Sequence, residues 1–92
     1  MTRFTPFQLR YHERLEADPR LSRDAKRIGY ALSCYTGPGT LARCSWLQLR
    51  KATGLGHERT GRAMHQLIQF GYAGRRQSKD PIRTGWPLTH PR

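Results

Sequence analysis

Gly54-Leu55-Gly56 breaks a helical pattern after two turns, and that break most limits what this chain can fold into. Before it, Ser45 is a good N-cap for a helix over 46–53, with Trp46, Leu49 and Thr53 on one face. After it, the spacing predicts a second helix over 57–70. Gly71 follows as the residue that takes the left-handed conformation past a helix end. The second helix has a narrow apolar stripe of Thr60, Ala63, Met64 and Leu67. By 100° steps, Glu58, Arg62, His65 and Gln69 stand opposite, with Gly61 beside them. Gly54 permits a tight turn, and Leu55 plugs the angle between the two helices.

The rest of the chain supplies two earlier helices and a hairpin. Thr5-Pro6-Phe7-Gln8 is a helix start, with Thr5 as N-cap, Pro6 at the first position and Gln8 closing a capping box. That helix covers 6–17, because Pro19 biases Asp18 out of helical geometry. Phe7, Tyr11 and Leu15 form its stripe, and Phe4 and Leu9 are placed for a hydrophobic staple. A second helix spans 22–35, with Ser22 as cap, Ala25, Ile28, Leu32 and Tyr35 inward, and Arg23, Lys26 and Arg27 off the stripe. Gly29 costs this helix roughly 1 kcal/mol relative to Ala, and suits close packing of a neighbouring helix. Gly37-Pro38-Gly39 is a turn, and 40–44 a short strand. Residues 72–89 read as a hairpin turning at 78–81, with Trp86 and Leu88 on one face of the returning strand and Pro87 confining that strand to the sheet edge. The expected fold is a single domain over 1–92, mainly α, with a small β-hairpin.

Charge then narrows the partner. Fourteen Arg and three Lys oppose six acids, for a net charge of +11. Residues 45–92 hold nine basic and two acidic groups, against eight and four before them. Arg forks match phosphate and guanine geometry, so this enrichment points to a polyanion, with nucleic acid first. No apolar run approaches the roughly 18–20 residues of a membrane span, and the N-terminus has no signal-peptide core.

The stretch from Ser45 to Tyr72 reads as a helix-turn-helix, and it resembles that of the winged helix-turn-helix family of bacterial, plasmid and phage DNA-binding proteins. The matching residues are Leu49, Ala52-Thr53-Gly54-Leu55, Arg59, Ala63-Met64, Leu67 and Phe70-Gly71-Tyr72. The order of elements extends the resemblance over 21–89, behind an extra N-terminal helix. The sequence departs from the family pattern at Arg50, where a small residue is usual, at Gly61 within the recognition helix, and at Ala73, where the wing strand usually begins with a larger apolar residue. The resemblance implies roles by position. Arg59 and Arg62 contact bases or phosphates, and Glu58 accepts from a cytosine amino group or orients an Arg. His57 and His65 contact phosphate, as do backbone N–H groups at Gly56 and His57. Lys51 and Arg50 reach the backbone from the preceding helix. Arg75, Arg76, Lys79 and Arg83 line the wing, with Arg83 placed for a minor groove.

The resemblance thus implies a sequence-specific binder of double-stranded DNA, cytoplasmic and nucleoid-associated. It would act as a small transcriptional regulator or as a plasmid or phage factor in excision, replication or partition. Ninety-two residues leave no room for a ligand-sensing domain, so no small-molecule ligand, cofactor, metal or membrane is expected. A homodimer would form through the N-terminal helix, whose Phe4, Phe7 and Tyr11 would be a docking surface. Two alternatives stay open: an RNA-binding winged helix, which needs exposed aromatics for stacking, and a protein-interaction module of a larger nucleoprotein assembly. Bland readings stand beside these roles. Glu58 and Arg62 are spaced for a surface ion pair. Trp46 and Trp86 read as packing, and Cys34 and Cys44 as free, mostly buried thiols. Catalysis has no support, since no nucleophile lies at workable spacing from a base. The eight-residue gap from His57 to His65 does not match a zinc-protease helix.

Overall fold

The computed structural model describes residues 3–74 and 85–89. They form four helices and a small antiparallel sheet, in the order α1 (Pro6–Ala17), α2 (Arg23–Ser33), β1 (Leu41–Ala42), α3 (Trp46–Thr53), α4 (His57–Gln69) and β2 (Trp86–Pro87).

Helix α1 begins with both halves of its capping box: Gln8 N–H donates to Thr5 Oγ1 at 3.1 Å, and Thr5 N–H to Gln8 Oε1 at 2.7 Å. The same Gln8 is buried, and its amide Nε2 donates to Ser33 O at 2.8 Å and Thr36 Oγ1 at 3.1 Å. One side chain therefore caps α1 and ties it to the end of α2. The expected staple does not form. Phe4 instead meets the rings of His12 and Tyr30 edge-on at 4.9 and 6.2 Å, and Leu9 is 55% exposed. Tyr30 offers Phe4 a larger, aromatic surface than Leu9 does. Of the three aromatics expected to form a docking surface, Phe4 is half-buried and Tyr11 is closed off. Tyr11 is fully buried and Phe7 is half-buried against the core.

Helix α2 is capped by Ser22, which accepts from Ala25 N–H at 3.1 Å, and it buries Ala25, Ile28, Gly29 and Leu32. It ends at Ser33, two residues short of the expected 35. There the N–H groups of Cys34 and Tyr35 bond three residues back, to Ala31 and Leu32, which tightens the last turn. That leaves Tyr35 half-buried and Cys34 exposed, correcting the reading of both thiols as mostly buried; Cys44 is buried. Gly29 does admit a neighbour: a Cβ there would stand 2.9 Å from both methyls of Leu15 on α1.

Helix α4 closes with Gly71 at φ +84°. Tyr72 N–H donates to Leu67 O at 2.8 Å and Gly71 N–H to Ile68 O at 3.3 Å, which satisfies carbonyls of the last turn. The core draws on every element, from Tyr11 and Leu15 of α1 through Ile28, Leu32, Leu49 and Leu67 to Trp86 and Leu88.

The sheet corrects one expectation and trims another. The strand expected over 40–44 is confined to Leu41–Ala42, which pair antiparallel with Pro87 and Trp86. Pro87 is not at an edge. Leu88 forms an antiparallel bridge with Ala73 on the far side, Gly74 N–H donates to Pro87 O at 2.7 Å, and Leu88 N–H to Thr40 O at 2.9 Å. The proline is tolerated because its carbonyl still serves that flank and only a single bridge forms there. Gly74 makes the room: a Cβ on it would stand 2.7 Å from Pro87 Cγ. The middle of the expected hairpin, 75–84, lies outside the described residues. Among the described residues no helix is long and apolar enough to cross a membrane.

Candidate nucleic-acid interface

The turn between α3 and α4 has the chemistry its sequence requires. Gly54 takes φ +72° and its N–H donates to Arg50 O at 2.8 Å, ending α3. Leu55 is 4% exposed, seated in the core beside Leu49 and Leu67. Thr53 helps to hold the corner. Its hydroxyl donates to Leu49 O at 2.7 Å and accepts from Leu55 N–H at 3.4 Å.

Helix α4 is sharply two-sided. Thr60, Ala63, Met64 and Leu67 are buried, while Glu58, Arg62, His65 and Gln69 are exposed across the opposite face. Among the described residues no ion pair joins Glu58 to Arg62. Lys51 is exposed on the last turn of α3, and Arg50 is half-buried with its Nε lacking a partner among the described residues.

Two further residues that the resemblance assigns to DNA contacts are held in ways the sequence did not reveal. Arg59 donates through Nε and Nη2 to both carboxylate oxygens of Asp24, at the start of α2, at 2.9 and 2.8 Å. This bonding draws the Asp24 carboxyl below its usual range and raises Arg59. His57 accepts from the indole N–H of Trp46 at 3.0 Å, which brings the first residues of α3 and α4 together. With Nδ1 accepting, the ring proton of neutral His57 sits on Nε2, where it remains available to donate. Gly56 caps α4 without a side-chain hydrogen bond, so no side chain occupies the first-turn N–H groups. The dipole of α4 favours an anion there, although Glu58 in the same turn competes for that position.

Tyr72, the first residue of the expected hairpin, is fixed by a network that no motif announced. Tyr11 Oη donates to Tyr72 O at 3.0 Å, and Tyr72 Oη lies 3.0 Å from both Arg14 O and Asp18 Oδ2. Asp18 is gripped by Arg20 through Nε and Nη2 at 2.9 and 2.7 Å, and the Arg20 guanidinium stacks 4.5 Å over the Phe70 ring. Arg20 holds the Asp18 carboxyl well below the usual range. Burial, then the bond to Asp18, pushes Tyr72 up to about 12, and burial raises Tyr11 as well. The signal was present as Asp18-Pro19-Arg20 and as two tyrosines far apart in sequence, but only the fold joins them. Arg75, Arg76, Lys79 and Arg83 lie outside the described residues.

Comparison of the chain with protein-family models, with curated proteins and with solved structures finds no match.

Proposed function

We propose that this protein binds duplex DNA as a winged helix-turn-helix, with α4 in the major groove. The supporting observation is the two-sidedness of α4. Its inward face is filled by Thr60, Ala63, Met64 and Leu67, and its outward face carries Arg62, His65, Glu58 and Gln69. Thirteen residues make a rod roughly 20 Å long, and a helix of ordinary diameter fits the roughly 12 Å major groove. Arg62 reads a base edge, with Glu58 and His65 beside it. Lys51, Gly56 and His57 face the backbone, and Arg59 joins once released from Asp24. Ala73 and Leu88 are bridged, and the sequence between them carries Arg75, Arg76, Lys79 and Arg83. In this proposal those four residues would serve as wing contacts to the backbone or minor groove.

The sequence half that includes α3, α4 and the wing holds nine basic groups against two acidic, a balance suited to phosphate. Stacking of unpaired RNA bases needs rings free beside α4. Trp86 is buried and Trp46 is bonded to His57, so duplex DNA is the better fit. Such a protein would act on the nucleoid as a small regulator or as an excision, replication or partition factor.

The test is selection from a random duplex library at near-physiological salt, with a structured RNA pool in the same tube. Enrichment of one short duplex motif is expected, and an inverted repeat within it would mean that two copies bind together. Enrichment of RNA, or steeply salt-dependent retention of duplexes without a motif, overturns sequence-specific duplex recognition.

A further inference from the structure

We infer that the outer face of α2 is a docking groove for an acidic, amphipathic segment of a partner protein. The groove has a volume of about 700 Å³ and runs along α2 between Glu16 at the end of α1 and Ala52 at the end of α3. None of its lining belongs to α4, so this inference goes beyond DNA binding and does not depend on it.

The lining is of two kinds. Arg23, Lys26 and Arg27 supply positive charge, while Tyr30, Ala31 and Tyr35 supply an apolar strip. Glu16 is the one acid among the described residues lining it. Two of the cations are already oriented. Lys26 Nζ donates to Glu16 O at 3.1 Å, and Arg27 Nη1 donates to Thr53 O at 3.4 Å. Those carbonyls end α1 and α3, where the helix dipole is negative, so the two side chains are drawn to opposite walls. Each keeps further N–H donors for a ligand. Tyr30 is 46% exposed yet fixed, stacked on His12 at 4.2 Å with the Phe4 edge at 6.2 Å. Fixed Tyr and Arg side chains are the groups that dominate protein interfaces.

The arrangement decides the class of partner. A nucleic-acid backbone wants a continuous track of cations. Here the cations flank an apolar strip that phosphates would leave unfilled. A segment with one or two large apolar side chains for the strip and carboxylates for the walls matches both features.

The experiment pans a random 12-residue peptide library, displayed on phage, against the intact protein. Cys34 lies exposed in the groove and Cys44 is buried, so fluorescein maleimide places one bulky label there. The peptides enriched should combine Asp or Glu with Leu, Phe or Trp. They should bind at least tenfold more weakly to Arg23→Glu, lose binding to the Cys34-labelled protein, and be unaffected by saturating duplex DNA. Arg23 is exposed, and circular dichroism checks that the variant is folded. No enrichment, enrichment of peptides without carboxylates, or indifference to both perturbations overturns the inference. So does competition by duplex DNA, or protection of Cys34 by a single-stranded oligonucleotide where no peptide protects it.

Discussion

Arg59 grips both carboxylate oxygens of Asp24, at 2.9 and 2.8 Å, so the helix proposed to read DNA has one of its two arginines committed to a neighbouring helix. The pair is exposed, and exposed ion pairs hold weakly. A phosphate can therefore displace Asp24, but at some cost to affinity. Arg62 carries no such tether. Arg62→Ala should lower affinity for the selected duplex by roughly 1–3 kcal/mol and relax its sequence preference. Arg59→Ala should cost less. Asp24→Asn should raise affinity and steepen the salt dependence by about one ion. In that background, Arg59→Ala should cost more than it does in the parent. Anisotropy titrations at several salt concentrations measure all four. Equal losses for the two arginines in the parent would mean that Asp24 does not restrain Arg59.

Gly61 sits on the flank of the exposed face, and a Cβ there would meet no atom within 4 Å. Gly61→Ala should therefore stabilise the fold by about 1 kcal/mol, the helix-propensity difference. If α4 enters a major groove, the same methyl stands where the helix approaches the duplex, and affinity should fall as stability rises. Thermal unfolding and duplex titration together decide it. A rise in stability with unchanged affinity would place this flank of α4 away from the DNA.

Gly29 presents the opposite case. An alanine there gains roughly 1 kcal/mol of helix propensity, but its methyl meets Leu15 Cδ1 and Cδ2 at 2.9 Å in a closed core. Overpacking costs roughly 1–3 kcal/mol, so Gly29→Ala should be net destabilising. In a Leu15→Ala background the obstruction is gone, and the same change should stabilise. Denaturant unfolding of the four proteins in this cycle reads the reversal of sign. No reversal would mean that the α1–α2 contact is looser than the geometry implies.

These cases show which parts of the molecule were legible in the sequence. Local chemistry was. The Thr5–Gln8 capping box, the Ser22 and Ser45 caps, the αL glycines at 54 and 71 and the stripe of α4 act within a few residues, so their spacing shows them. Contacts between distant segments were not. Asp24 is the acid in the first turn of α2, and nothing local shows that the start of α2 lies against Arg59, 35 residues on. Phe4 lies only five residues before Leu9, but its ring meets Tyr30. Pro87 broke a rule about sheet edges because Gly74, 13 residues earlier, vacates the space its ring needs. On the proposed DNA face, the outward residues of α4 were readable and the restraints on Arg59 and His57 were not.

The Asp18 network predicts how the fold fails in acid. Arg20 hydrogen-bonds both oxygens of Asp18 and holds the carboxyl below its ordinary pKa of 3.8. A carboxylate depressed in the folded state contributes stability that is fully present above its unfolded pKa. That contribution is lost as pH falls below about 4 toward the folded value. Protonation of Asp18 would loosen Arg20 from its place over Phe70 and remove an acceptor from the Tyr72 hydroxyl, freeing Tyr72 from α1. Asp18→Asn should therefore be less stable than the parent at pH 7, and the difference should shrink as pH falls from 4 to 2. Tyr72→Phe should cost about 1–3 kcal/mol at neutral pH by leaving the buried Asp18 carboxylate short of a donor. Urea unfolding at pH 7, 4, 3 and 2 measures both variants against the parent. A constant gap between Asp18→Asn and the parent across that range would mean that the carboxylate's charge contributes nothing, and that the network acts through packing alone.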